Sequence, residues 1–389
     1  MPALLQQRII ERIQQQGAIT FADYMRMALY EPDYGYYVSG PARMGWEGDY
    51  YTSTDVADFF AHCMGRQLQH MWEELGRPAL FTVLEQGAGR GDLARAVRRW
   101  ATLEAPDFNM ALDYQTEDIN TGQNALFTLI SAKKEQSVDL PQTNGYKQQE
   151  SEAQSPAVIL SNELVDAFPV HIVQKQGKKL YEVYVNVQNG RLIEEIGEPS
   201  SLEVEGYLDS NKIPWHTYDD GWRAEVNLDA LRWITHTIQR LLESEPRRKR
   251  HCFILAIDYG DTAPKLYTRE RQFGTLTCYY QHQLSDRPLV RPGEQDLTAH
   301  VNFTALISEA HKHGMHLQTL TTQREWLSNM GIYEELERIH QRDFSIIDSA
   351  RASDKGQVAL LQWYNLRQRV SLLTKPTGMG NFKVLILKH

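Results

Sequence analysis

Residues 85–91 combine one acid with three glycines at alternate positions. Glu85 ends an apolar run, Gly87, Gly89 and Gly91 follow, and a helical pattern of apolar residues comes next. This order predicts a strand, a tight turn and a helix. Glycines let a ligand approach the backbone, and a helix N-terminus offers unpaired N–H groups. The spacing therefore predicts a ligand site at the end of this strand.

The residue after the last glycine narrows the choice of ligand. A dinucleotide fingerprint requires a third glycine where this chain has Asp92. A carboxylate there would repel a pyrophosphate, and the Lys-Ser/Thr signature of a phosphate loop is absent. An acid followed by G-x-G-x-G is typical of enzymes that use S-adenosylmethionine (SAM), a ligand with an ammonium and a sulfonium. A plain glycine-rich turn between a strand and a helix is the alternative.

A second acid follows the next predicted strand, residues 111–117. An acid about 20 residues or more past such a glycine turn binds ribose hydroxyls in βαβ units, and a carboxylate can accept both hydrogen bonds. We therefore predict that Glu117, or the adjacent Asp118, binds the ribose of SAM. We predict that Glu85 contacts the ammonium, directly or through water. The alternative is that Glu117 only caps the following helix.

Amide and acidic side chains follow the third predicted strand, residues 157–162. Ligands of doubly wound sheets bind beyond the carboxyl ends of the strands, so we predict that Asn162 and Glu163 border the transferred methyl group. Asn162 would contact the cofactor as well. Carboxylates such as Glu163 and Asp166 can bind a guanidinium bidentately and carry its proton away. Alternatively, Asn162 and Asp166 only cap the following helix.

Two further segments carry candidate site residues. Asp296 and His300 lie one helical turn apart, so a helix that begins early would place both in one cavity, as a general base or as a helix-start hydrogen-bond network. In an aromatic, glycine-rich section, Asp49, Thr52 and Ser53 are predicted to close over the ligand. The tyrosines of this section could instead simply pack on the neighbouring domain.

Composition and charge exclude several classes of protein. The chain has 389 residues, of which 42% are hydrophobic and 23% charged, and its net charge of −9 argues against generic binding to nucleic acids or anionic membranes. No apolar run is long enough to span a bilayer. The three cysteines lie far apart without a C-x-x-C pair, which indicates neither a zinc site nor a disulfide framework. With no signal-peptide pattern at the N-terminus, we expect a cytoplasmic protein.

Strands and helices alternate in an order that predicts an α/β fold. Apolar strands over 80–85, 111–117, 157–162 and 253–258 favour a parallel, doubly wound sheet with both faces covered, and 382–387 could complete it. The predicted parts are a helical N-terminal and lid region (1–75), a Rossmann-like SAM-binding domain (76–167 and 251–389) and a small α+β insertion for a substrate or partner (168–250).

Five sequence blocks occur along the chain in a characteristic order: residues 48–53, 85–91, 161–171, 274–276 and 292–301. These blocks and their order resemble the MidA-like SAM-dependent methyltransferases. The resemblance implies a class I methyltransferase fold and SAM as cofactor. Mitochondrial members of this family are protein arginine methyltransferases that form symmetric dimethylarginine on a core subunit of respiratory complex I.

The sequence departs from the family pattern at a few positions. Gln86 and Ala88 stand where the family has Leu and Pro, Thr54 and Asp55 where it has Pro and Glu, and Asn302 where it has Asp. The leading hypothesis is a cytoplasmic SAM-dependent methyltransferase that acts on protein arginine, and a homodimer is one expected assembly. Rival hypotheses are a small-molecule N- or O-methyltransferase and a SAM-binding assembly factor without turnover.

Overall fold

The structure is a computed structural model that describes residues 2–39, 58–119, 156–242, 251–281, 283–349 and 354–389. Its helices are α1 Pro2–Gln16, α2 Phe21–Tyr30, α3 Asp58–Glu74, α4 Asp92–Glu104, α5 Pro106–Ala111, α6 Leu202–Ser210, α7 Leu228–Leu242, α8 Ala263–Leu266, α9 Phe303–Lys312, α10 Gln323–Asn329, α11 Ile332–Ser349 and α12 Asp354–Thr374. Its strands are β1 Ile19–Thr20, β2 Phe81–Gln86, β3 Leu112–Glu117, β4 Val158–Asn162, β5 His171–Gln176, β6 Lys179–Gln188, β7 Arg191–Gly197, β8 Arg223–Val226, β9 Phe253–Asp258, β10 Gly260–Asp261, β11 Thr277–Tyr280, β12 Gln283–Ser285, β13 Asp296–Thr298, β14 Val301–Asn302, β15 His316–Thr322 and β16 Lys383–Lys388.

The main sheet of the described residues has six strands in the order β15-β16-β9-β4-β2-β3. Strands β9, β4, β2 and β3 are parallel, and β16 runs antiparallel to both of its neighbours. The polypeptide therefore winds outward from β2 in both directions. The point where the direction reverses, between β2 and β4, is where such sheets bind ligands. The predicted α/β, doubly wound class I fold is confirmed.

Helices cover both faces of this sheet, which explains why its strands are apolar on both sides. Val83 of β2 points into a core formed with α3, α4, α10 and α12. The next residue, Leu84, points into a second core formed with α2, α7 and α9. All five predicted strands of the sheet are present, including the last one as β16. The polar edge strand β15 was not predicted.

A second, antiparallel sheet has the order β1-β6-β5-β8 with β7 paired to β6, and all of its strands except β1 follow β4 in the sequence. Its β6–β7 hairpin turns at Asn189 and Gly190, both with positive φ (52° and 72°), as the alternating pattern and the Asn-Gly pair predict. After β8, α7 returns to the main sheet and contacts β4 and α9. The boundaries at 167 and 250 stay a prediction. None of the described helices combines the length and apolarity needed to cross a membrane.

Two glycines give a contrasting test of this packing. A Cβ on Gly260 of β10 would lie 2.1 Å from the backbone oxygen of Val301 on β14, so the two paired strands would have to separate. We expect Gly260→Ala to lower the free energy of unfolding by about 3 kcal/mol or more. A Cβ added to Gly206, inside α6, would have no neighbour within 4 Å, and Gly206→Ala should stabilise by about 0.5–1 kcal/mol. Urea titrations measure both, and equal effects would contradict the packing described.

Candidate functional site

The glycine turn after β2 has the backbone that its sequence predicts. Gly87, Gly89 and Gly91 have φ angles of 71°, 53° and 71°, a region that strains residues with a side chain. A Cβ on Gly87 would lie 2.8 Å from Cδ1 of Leu164. The absence of a side chain at Gly87 therefore lets Leu164, in the turn after β4, pack against the glycine turn. At Gly91 the nearest atom to an added Cβ would be Nη1 of Arg95 at 3.5 Å.

The carboxyl end of β3 holds this turn in place. The backbone oxygen of Glu117 accepts hydrogen bonds from the N–H groups of Gly87 (2.9 Å) and Ala88 (3.2 Å). The Asp118 carboxylate accepts one from the N–H of Gly89 at 2.8 Å. Asp118, predicted as the alternative ribose ligand, therefore binds the backbone of the glycine turn.

The Glu117 side chain has a partner that sequence analysis missed. The carboxylate is buried (3% exposed), and its Oε2 accepts a hydrogen bond from Nη1 of Arg240 on α7 at 2.6 Å. Arg240 is distant in sequence and has no motif around it, so only the fold reveals the pair. The ion pair fixes the carboxylate at the carboxyl edge of the sheet, on the strand next to β2.

Glu85 and Glu117 project from opposite faces of the sheet. In the parallel register of β2 and β3, Glu117 pairs with Gln86 and not with Glu85. Gln86 faces α7, where its Oε1 accepts a hydrogen bond from Nε1 of Trp233 at 2.9 Å. Gln86, the departure from the family pattern noted above, is thus used to anchor α7.

Glu85 is buried on the other face (4% exposed). Its Oε2 accepts a hydrogen bond from the hydroxyl of Tyr114 at 3.0 Å. Burial, with a smaller contribution from the charges of Asp118 and Asp92, raises the pKa of Glu85 to about 8 against the opposing Tyr114 hydrogen bond. The carboxyl is therefore mostly protonated at pH 7, and binding of a cation beside it would favour loss of this proton.

We expect Glu85→Gln to stabilise the ligand-free protein, and more so at pH 7.5 than at pH 5. The raised pKa in the folded state means that stability is lost as pH rises from the unfolded value of about 4.3 towards 8. Glutamine has no charge to bury and escapes this loss. Denaturant titrations at both pH values measure the difference, with the exposed Glu104→Gln as control. A gain for Glu85→Gln that does not grow with pH would contradict the burial.

A carboxyl group at the end of β9 positions the turn after β4. Oδ2 of Asp258 accepts hydrogen bonds from the N–H groups of Leu164 (3.3 Å), Val165 (2.9 Å) and Asp166 (3.3 Å). Glu163 in this turn has a φ of 52°. The short 3₁₀ helix over Val165–Ala167 has no cap from its own side chains, so Asp258 does the capping that was considered for Asn162 and Asp166. Asp258 was not predicted as a site residue, although it ends the apolar strand β9 as Glu85 ends β2.

A cavity of about 670 Å³ opens beside this turn. Its lining includes the carboxyl groups of Glu163, Asp166 and Asp296 together with aromatic rings such as Tyr259. The Tyr259 hydroxyl donates a hydrogen bond to Oδ2 of Asp166, and the Tyr37 hydroxyl donates one to Oδ1 of Asp296 at 2.7 Å. The cavity therefore offers acidic and aromatic groups together, which suits a planar cation.

The Asp166 carboxyl has one unsatisfied oxygen, because its buried Oδ1 has no hydrogen-bond partner within the described residues. Burial raises the pKa of Asp166 to about 6, against the hydrogen bond from Tyr259 that lowers it. The group is therefore mostly ionised at pH 7, at a place where an unpaired charge is costly and a cationic ligand would be stabilising.

The structure corrects the prediction for Asp296 and His300. Asp296 begins strand β13, which pairs with β11, so the predicted helix is wrong, although both side chains do line the cavity. His300 does not face Asp296: its Nδ1 lies 3.5 Å from Nη1 of Arg271. Burial, and then the charge of Arg271, lowers the pKa of His300 to about 4, so the ring is neutral at pH 7. The predicted lid residues Asp49, Thr52 and Ser53 lie outside the described residues.

The residues at the strand ends fit a ligand that carries hydrogen-bond donors. Besides Glu117, the amide oxygen Oδ1 of Asn162 is buried and has no partner in the part of the sequence that the structure describes, while its Nδ2 donates to Oε1 of Glu163 at 3.3 Å. SAM presents an ammonium and two ribose hydroxyls, which are donors for such acceptors. The chemistry of these acceptors is therefore compatible with SAM as the ligand.

Comparison with known proteins agrees with this fit. A family model described as "Putative S-adenosyl-L-methionine-dependent methyltransferase" matches residues 63–321. The protein is 27% identical to the mitochondrial protein arginine methyltransferase NDUFAF7 homolog of Drosophila melanogaster, over 98% of its own length and 84% of the relative. It is 26% identical to mitochondrial protein arginine methyltransferase NDUFAF7 of Homo sapiens, over 97% and 82%.

A solved structure extends the similarity to the fold. The crystal structure of a COG1565 superfamily member from Burkholderia thailandensis, bound to S-adenosyl-homocysteine, has a TM-score of 0.75 and 25% identity, and the match covers 100% of the present protein and 92% of the Burkholderia one. The family match over residues 63–321 includes the glycine turn, the carboxyl ends of β2, β3, β4 and β9, and His300. Asp258, at the end of β9, is part of it.

Proposed function

This chain belongs to the family of SAM-dependent methyltransferases, and we propose that it methylates an arginine side chain of a protein. The observation that carries the choice of arginine is the unpartnered Oδ1 of Asp166, with no hydrogen-bond partner among the described residues, in a cavity lined by carboxyl groups and tyrosine rings. Relatives that are named protein arginine methyltransferases support the same choice.

SAM, when bound, supplies an electrophilic methyl group on its sulfonium. We assign the ribose hydroxyls to the Glu117 carboxylate, which Arg240 holds in place, and a donor of SAM to Oδ1 of Asn162. Glu85 would serve the ammonium, with loss of its proton when the cation binds. These residues lie at the carboxyl ends of β2, β3 and β4, with Glu85 and Glu117 on opposite faces of the sheet, so one ligand would have to lie across this edge to meet both.

The acceptor residues act by orientation and by proton transfer. A guanidinium held by Glu163 and Asp166 would present one nitrogen to the methyl carbon. As the N–C bond forms, the S–C bond breaks and its electron pair stays on sulfur, which leaves S-adenosyl-homocysteine. The proton that the nitrogen loses passes to the Asp166 carboxylate, which is ionised above a pH of about 6. Asp258 positions the turn that carries both acids.

The direct test is methyl transfer from isotopically labelled SAM to protein. The purified protein is incubated with arginine-containing peptides and with matched peptides in which lysine replaces arginine. Labelled methylarginine in hydrolysates of the arginine peptides alone is the expected result, and chromatography then distinguishes monomethyl, symmetric and asymmetric dimethyl products. Transfer to small-molecule amines or hydroxyls but to no arginine would overturn the proposal, as would SAM binding without any transfer.

The location, the assembly and the partner of the protein stay predictions. A cytoplasmic location and a homodimer are proposals, whereas the relatives compared above are named as mitochondrial proteins. A protein partner follows from the proposed arginine acceptor. The net charge of −9 is the reason to expect no nucleic-acid partner.

A further inference from the structure

The acceptor cavity also contains a cation that no carboxylate of the described residues neutralises. Arg271 lines the cavity and is half-buried. Within the described residues its guanidinium makes no ion pair, and its one hydrogen-bond contact is with Nδ1 of His300 at 3.5 Å. A second cation on the cavity wall, Lys265, lies 3.8 Å from a carboxylate oxygen of Asp261. Arg271 is thus available to an anion that enters the cavity.

The neighbours of Arg271 favour a bound anion. His300 is neutral at pH 7, so it adds no competing charge, and its Nδ1 can accept a hydrogen bond from one arm of the guanidinium. The remaining N–H groups of an arginine form a planar fork that matches a carboxylate. Partial burial strengthens such a pair relative to one in open water.

The backbone around Arg271 is held in position from β8. The buried carboxyl of Glu225 accepts hydrogen bonds from the N–H groups of Thr275 (2.8 Å) and Leu276 (3.0 Å), and from the Thr275 hydroxyl (3.0 Å). Oγ1 of Thr275 in turn accepts a hydrogen bond from the N–H of His300 at 3.0 Å. One buried side chain therefore fixes both segments that carry the cation and its histidine, and a preorganised site loses less free energy on binding.

Arg271 lies close to the acceptor acids but not among them. Tyr259 donates a hydrogen bond to Asp166, its ring packs edge-on against His300 at 5.6 Å between centroids, and His300 contacts Arg271. Two side chains thus separate the Asp166 carboxyl from the Arg271 guanidinium. Both residues line the same cavity of about 670 Å³, so a short extended peptide, at about 3.3–3.6 Å per residue, would be able to contact both.

We propose that Arg271 and His300 form an anion subsite that binds a carboxylate of the substrate protein close in sequence to the target arginine. This inference rests on the proposed function and adds a sequence preference to it. The cavity would recognise an arginine that has an acidic neighbour in the substrate sequence, and not an arginine alone. The subsite takes a carboxylate from an Asp or Glu side chain or from the C-terminus of a polypeptide.

The test uses fluorescent peptides with a single arginine, amidated at the C-terminus. Aspartate is placed in turn at each of about three positions on either side of the arginine, and each peptide has an alanine counterpart. Anisotropy gives the binding constants in the presence of S-adenosyl-homocysteine, and methyl transfer is measured in parallel. One further peptide with a free C-terminus directly after the arginine tests the terminal carboxylate.

We expect the wild-type protein to bind the best aspartate peptide about tenfold more tightly than its alanine counterpart. Arg271→Gln should reduce this ratio to about one, and Arg271→Glu should instead favour lysine at the same position, a gain that misfolding cannot produce. The matched control is Arg269→Gln, an exposed arginine that donates to the backbone oxygen of Thr217 and should keep the tenfold ratio.

A ratio near one at every position in the wild-type protein would overturn the subsite, as would a tenfold ratio that survives in Arg271→Gln. A loss of S-adenosyl-homocysteine affinity of tenfold or more in Arg271→Gln would also overturn it, because Arg271 would then serve the carboxylate of the cofactor. An aspartate preference without methyl transfer to arginine would refute the proposed function and leave the anion subsite standing. Methyl transfer to arginine without an aspartate preference would refute the anion subsite and leave the proposed function standing.

Discussion

Replacing Asp166 with asparagine is expected to lower kcat by about 100-fold or more, with S-adenosyl-homocysteine affinity unchanged within about twofold. Asparagine has the same shape, and its amide oxygen can still accept the hydrogen bond from Tyr259. It carries no charge for the guanidinium and accepts no proton. Initial-rate kinetics with saturating SAM, together with calorimetry of S-adenosyl-homocysteine, separate the two effects.

The pH dependence provides a second readout of the same residue. Because the pKa of Asp166 is about 6 in the folded protein, the ionised form that binds guanidinium is lost below that pH. We expect kcat/KM to fall about tenfold per pH unit below pH 6 in the wild-type protein and to lose this limb in Asp166→Asn.

The matched control for Asp166→Asn is Asp261→Asn. Asp261 also faces the cavity, but its carboxylate is tied to Nζ of Lys383 at 3.2 Å, so we expect less than a threefold change in kcat, against the ~10²-fold change above. If both variants lose activity equally, the acidic cavity acts only through its total charge. If neither does, Asp166 is not the proton acceptor.

The second large effect is expected for Glu117→Gln, which should weaken S-adenosyl-homocysteine binding by about 10–100-fold. Hydrogen bonds to a charged group contribute about 1.5–3 kcal/mol each, and each 1.4 kcal/mol corresponds to about tenfold in affinity. The amide also leaves Arg240 without its ion-pair partner, so the group that should meet the ribose is less well fixed. Calorimetric titration of both proteins measures the change.

Asp113→Asn is the control on the same strand. Asp113 lies near the start of β3, where its Oδ2 accepts a hydrogen bond from Nε2 of Gln115 at 2.7 Å, and it is far from the carboxyl edge of the sheet. We expect its S-adenosyl-homocysteine affinity to equal that of the wild-type protein. A Glu117→Gln variant that binds as tightly as Asp113→Asn would remove Glu117 from the cofactor site.

Local sequence patterns were sufficient for five of the six strands of the main sheet and for the glycine turn. Buried parallel strands must be apolar on both faces, which leaves a readable run. A tight strand-to-helix turn requires positive φ, which selects glycine at positions 87, 89 and 91. The acids Glu85 and Glu117 also follow from their place at the ends of such runs.

The short segment at Asp296 shows where local patterns fail. Residues four apart lie on one face of a helix, which led to the prediction of a helix here. Both side chains do line one cavity, but Asp296 lies in β13 and His300 follows that strand in irregular backbone. Pairing of β13 with β11, a long-range interaction, made the choice of element.

Residue patterns alone establish a doubly wound sheet with a glycine turn, and a set of acids and amides at the carboxyl ends of its strands. How these groups are used follows from long-range contacts. The fold places Arg240 on Glu117, Leu164 over Gly87, Asp258 under the acidic turn and Arg271 against His300. The physical reason is that strand and turn preferences depend on near neighbours, whereas hydrogen bonds, ion pairs and burial depend on which distant segments the fold brings together.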